Sequence, residues 1–155
     1  MVKAMAEGLE SAKVQEGGCR VLCRGNWRCQ NNAVIGGGGG IQAVVAAMRQ
    51  HPSQGAVQEQ GCGALWNLAV NADNKVKIAG AGGVEAIVAA MTQHPSAAGV
   101  QERGCGALCN LAASNADNKA KINAAGGAQA IRAAMAAHPS SSKVQSWGKG
   151  ALGCL

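Results

Sequence analysis

His51, His94 and His138 each stand directly before a Pro-Ser pair, and imidazole is both the commonest metal ligand and a common general base. Either use requires the rings to converge. Their separations of 43 and 44 residues instead suit successive copies of one turn, and packed helical units are displaced by on the order of 10 Å from copy to copy. Three such rings cannot share an ion. A residue before proline is pushed out of helical geometry, so the histidines are expected to punctuate turns.

The cysteines are the next candidates. Cys19 and Cys23, like Cys105 and Cys109, lie four apart, on one face of a helix. Structural zinc takes four ligands, usually with a Cys-x-x-Cys pair, and no such pair is present. Small core side chains are the expected role, and reduced thiols in a reducing compartment suit an odd total of seven. The glycine run Gly36–Gly40 lacks the Gly-Lys-Ser or Gly-Lys-Thr that a phosphate loop needs. It reads as an enlarged, loosened corner, in a stretch from residue 25 to 40 expected to be the least regular of the chain. The eight acidic residues are scattered, with no Ser, His and Asp arrangement among them. We expect no catalysis, no cofactor and no metal.

Arg20, Arg24 and Arg28 are spaced four and four, which makes one stripe on a helix, and they supply half of the net charge of +6. Such a stripe selects acidic segments, phosphate or nucleic acid, or is a solvated face with no partner. Nucleic acid ranks behind protein, because +6 is modest and Trp147 is the one aromatic on that face for a base to stack on.

These residues must be positioned by a repeated unit. Val14, Val57, Val100 and Val144 open VQEGGCRVL, VQEQGCGAL, VQERGCGAL and VQSWGKGAL, at spacings of 43, 43 and 44, and Ser114 accounts for the longer step. A period in the low forties belongs to helical solenoids or propeller blades. Val57, Gly61, Ala64, Leu65 and Leu68 follow the spacing of one helical face, so the unit is helical. Breakers divide the second full copy into helices over Asp73–Ala79, Gly83–Gln93 and Ala97–Ala113, about ten helices in all. Leu65, Leu68, Ile87, Leu108, Leu111 and Ile131 are the predicted core. The chain contains no Phe or Tyr and 23 Gly, a composition suited to closely packed helices. The N-terminal stretch lacks a secretory apolar run, and nothing approaches the roughly 18 apolar residues of a membrane span.

The segment NADNKVKIAGAGGVEAIVAAM followed by VQERGCGALCNLAA resembles the armadillo repeat, with its Asn-Lys start, Ala-Gly-Gly corner and Asn-Leu-Ala signature. The likeness is specific over residues 73–111 and poor over 23–38. It implies an all-α, right-handed α-solenoid of three-helix repeats, divided as 1–30, 31–72, 73–115 and 116–155. By phase the chain begins inside a second helix and ends inside a third without polar caps, as a piece of a longer array would.

What the resemblance implies for function is a concave face of third helices whose signature Asn grips a partner's backbone. Asn67 and Asn110 occupy that position, with Arg24 and Cys154 in the outer copies. The aromatic that localisation-signal receptors carry one turn earlier is replaced by Gly63, Gly106 and Gly150, and by Arg20 in the first copy. Helical glycine costs about 1 kcal/mol relative to alanine, so these sites suggest close packing or close approach of a ligand. The expected function is an intracellular, cytoplasmic scaffold, with nuclear or organelle-associated sites left open. It would bind an acidic, extended or helical protein segment through Arg20, Arg24, Arg28, Asn67, Arg103, Asn110 and Trp147. The alternative is a structural subunit of a cytoskeletal, ciliary or membrane-associated assembly, using other faces.

Overall fold

A computed structural model describes residues 2–8, 11–24 and 29–155, apart from the side chains of residues 6, 23, 24 and 29–31. It is all-helical, with no strand among the described residues. The helices are α1 Val2–Glu7, α2 Ala12–Arg24, α3 Cys29–Gly37, α4 Gly40–Gln50, α5 Gly55–Leu68 and α6 Ala72–Gly80. They continue as α7 Gly83–Gln93, α8 Ala98–Ala112, α9 Ala116–Ala124, α10 Gly127–Ala137 and α11 Ser142–Cys154. The three helices predicted for residues 73–113 are met to within one residue at each end.

Local chemistry sets these boundaries. Asn71 and Asn115 cap α6 and α9, their side chains accepting from the backbone N–H of Asn74 and Asn118. Gly39, Gly82 and Gly126 follow the short helices α3, α6 and α9 with φ of 80°, 77° and 79°, the left-handed region open to glycine. The glycine after each is needed for a different reason. A Cβ on Gly40, Gly83 or Gly127 would meet the carbonyl oxygen of Ile35, Ile78 or Ile122 at 2.7–2.9 Å.

The five-glycine run therefore departs from expectation. It does not enlarge its corner: Gly36 and Gly37 end α3, Gly38 and Gly39 turn, and Gly40 begins α4, as at the other two corners. Gly36 is small for a packing reason, since its Cβ would collide with the Asn74 side chain. The extra residue of the last period is absorbed at Ser114, whose φ of 56° makes it the one described non-glycine with a left-handed backbone.

The long helices α2, α5, α8 and α11 pack side by side in that order, and each covers the middle helix of its own unit, α1, α4, α7 and α10. Leu65, Leu68, Ile87, Leu108, Leu111 and Ile131 are completely buried there. Glycine makes this packing close. Gly18, Gly61, Gly104 and Gly148 receive Met5, Met48, Met91 and Met135, whose Cγ atoms would lie 2.5–2.6 Å from an added Cβ.

Candidate partner-binding face

The corners come first, because they fix the long helices in register. Each middle helix ends in carbonyls that lack a helical donor. Gln58 Nε2 donates to Met48 O at 2.9 Å and His51 O at 2.8 Å, and Gln101 Nε2 donates to Met91 O and His94 O, both at 2.8 Å. Gln15 and Gln145 repeat the pattern on Met5 and Gly8, and on Met135 and His138. These glutamines tie the start of each long helix to the end of the helix before it. The histidines then join corner to corner: His94 Nε2 lies 2.7 Å from Pro52 O, and His138 Nε2 lies 2.7 Å from Pro95 O.

A second ladder runs along the short helices. Buried Asn74 donates to Leu68 O and Asn32 O, and buried Asn118 donates to Leu111 O and Lys75 O. Asn32 Nδ2 donates to the backbone oxygen of Asn67 at 3.2 Å.

On the face of the long helices, Trp66 of α5 lies over Gly106 of α8, where an added Cβ would stand 2.6 Å from the indole. Its ring meets that of Trp147 from α11 edge-on, with centroids 4.8 Å apart and planes at 75°. Two indoles thus bridge the intervening helix, and Gly106 is a packing socket. Asn110 is half-buried and its Nδ2 donates to Trp66 O at 3.2 Å. Asn67 is also half-buried and engaged within the chain. Arg103 pairs with Glu59 at 3.0 Å and donates to Gln60 Oε1 at 3.1 Å, so its charge is spent on the seam between α5 and α8.

Arg20 is exposed on α2, with Glu16 one turn before it at 3.7 Å. Arg24 in its side chain, and Arg28 altogether, lie outside the described residues. The structure thus brings Asn110 and Trp147 to Trp66, places Arg103 at Glu59 and Gln60 on the α5–α8 seam, and leaves Arg20 on α2.

The thiols divide by depth. Cys19, Cys62 and Cys105 are buried, and Cys109 and Cys154 are half-exposed. Burial pushes Cys62 and Cys105 up to about 12, and burial together with the neighbouring Cys154 pushes Cys109 up to about 11. All three are protonated at neutral pH. Among the described residues no three His, Cys, Asp or Glu side chains gather where they could hold a metal, and no helix is long and apolar enough to cross a membrane.

Sequence reasoning missed the glutamine ties and the Trp66–Trp147 contact. The first had a signal, since Gln follows Val in all four copies of the long-helix opening. The second had none, because it joins residues 81 positions apart through a helix that lies between them. No family model, curated protein or solved structure matches the chain.

Proposed function

We propose that this chain is a right-handed, armadillo-like α-solenoid. In this reading it binds an extended acidic segment of another protein, without catalysis, along the concave face of its long helices. The observation that carries it is the repetition of one side-chain scheme. Hydrogen bonds between neighbouring units recur at separations of 42–44 residues, from the asparagine ladder to the histidine corners. Equivalent residues therefore line up along the face at unit intervals, which is what a repeating peptide backbone requires of its receptor. Trp147 and Trp66 supply an apolar shelf, Asn67 and Asn110 supply amides, and Arg20, Arg24 and Arg28 supply charge for a segment arriving at α2.

One observation favours the second reading, a structural subunit of a larger assembly. Arg103 and the Asn110 amide N–H already have partners within the chain, so a peptide must compete for them. The two readings separate in solution. An Asp/Glu-rich peptide library selected on the wild-type chain should yield binders whose affinity falls with added salt. Replacing Arg20, Arg24 and Arg28 by Gln should weaken them mainly at low salt and flatten that dependence, since exposed charges are screened beyond about 8 Å at physiological ionic strength. Binders equally tight to the Gln variant at every salt concentration would remove the arginines from the site. A library that yields none would transfer the proposal to the assembly reading.

A further inference from the structure

We propose that Cys109 on α8 and Cys154 on α11 form a two-thiolate site for a soft monovalent cation, with Cu(I) as its natural test ion. Each step along the long helices has an equivalent seam, and the seams differ in chemistry. Between α5 and α8 the matching positions hold Trp66 and Asn110, joined by the hydrogen bond from the amide to the Trp66 carbonyl. Between α8 and α11 those two positions hold Cys109 and Cys154. Two replacements in register thus turn an aromatic and amide pair into a pair of sulfurs.

The geometry brings the sulfurs together. Gly150 of α11 faces Cys109, whose Sγ would lie 3.5 Å from an added Cβ, and Cys154 follows Gly150 by one turn of the same helix. The Cys154 thiol is near enough to raise the Cys109 thiol, and both are half-exposed, so an ion can reach them from solvent. They are neither core cysteines nor separate surface ones.

The electrostatics favour an ion over bare thiolates. Burial and the adjacent sulfur hold Cys109 protonated, while the Lys75 ammonium acts in the opposite sense. Lys75 is fixed nearby by its bond to Ala113 O at 2.7 Å. Binding one monovalent ion releases two protons and leaves a bis-thiolate complex with one negative charge, which Lys75 offsets. No electron is transferred. Thiolates are soft ligands that select Cu(I), which accepts two-coordinate geometry. Zinc would need four ligands, and the described residues offer no third His, Cys, Asp or Glu to the pair.

The test uses the reduced full chain under anaerobic conditions, with Cu(I) presented against the chromophoric chelator bicinchoninate. Iodoacetamide labelling and peptide mapping then follow. The chain should retain one equivalent of Cu(I) and protect Cys109 and Cys154 from alkylation. Cys109→Ser and Cys154→Ser should each weaken retention by more than the roughly 10–100-fold that outer-sphere changes cost metal sites. Cys154→Met, which restores a soft donor, should recover part of it, and a Cys23→Ser/Cys29→Ser chain should keep it all. Circular dichroism on each variant separates loss of the ion from loss of the fold. Protection at other cysteines, unchanged retention in either Ser variant, or no retention by the reduced chain would overturn the site. So would a Cys109–Cys154 disulfide as the only product of the pair.

Discussion

At the scale of single residues, most polar side chains that first suggest chemistry are engaged in joining one unit to the next. His94 and His138 reach the proline carbonyl of the preceding corner, and Asn74 and Asn118 span the short helices. The role of the histidines at turns was legible, because proline follows each one. Their reach to the previous corner was not, since it depends on how far one unit is offset from the next. The buried thiols are legible from their repetition and carry a pH-dependent consequence. Cys62 is raised from 9.0 to about 12 by burial, so the unfolded chain loses this proton before the folded one does. Its contribution to stability is complete below pH 9 and is lost as pH rises through 12. Between pH 8 and pH 10 wild-type stability should fall by about 1.4 kcal/mol more than that of Cys62→Ala, because a tenfold difference in proton affinity is worth about 1.36 kcal/mol. Urea titrations of both proteins at the two pH values check this, and parallel losses would place Cys62 in contact with water.

Whole helices are set by punctuation, and punctuation is what a sequence displays most openly. The Asn caps at Asn71 and Asn115, the GlyGly corners and the His-Pro stops mark boundaries that the structure keeps. The expectation of an enlarged corner at Gly36–Gly40 fails because it rests on the entropy of glycine alone, and residues 25–28 of the stretch expected to be irregular lie outside the described residues. Gly39 does turn the chain, but Gly36 is a space for Asn74 and Gly40 a contact with Ile35, and neither demand is visible without the neighbouring helix. The glutamine ties carry the prediction at this scale. Gln101→Ala leaves the buried Met91 O without its donor, while His94 O keeps the backbone N–H of Ala97, and an unsatisfied buried polar group costs about 1–3 kcal/mol. A loss of that size in chemical denaturation is expected, with the helical circular dichroism of the native state unchanged. A loss under about 0.5 kcal/mol, the lower end of what an intramolecular hydrogen bond contributes, would mean that water replaces the amide.

For the molecule as a whole, the function we propose belongs to a face and not to a pocket, because the repeat sets its elements at regular intervals. The period was legible, and with it the order of α2, α5, α8 and α11. What lies across the face was not, because Trp66 meets Trp147 and Cys109 meets Cys154 only after the long helices have packed. The central claim is that this face grips a peptide backbone through Asn67 and Asn110. The most direct test is the affinity of a peptide selected from the Asp/Glu-rich library for wild-type protein and for Asn67→Ala/Asn110→Ala, with thermal melts confirming that the variant is folded. Each lost pair of backbone hydrogen bonds should cost on the order of 1 kcal/mol, about fivefold in affinity, at low and high salt alike. Equal affinity of the folded variant and the wild type at both salt concentrations would contradict it.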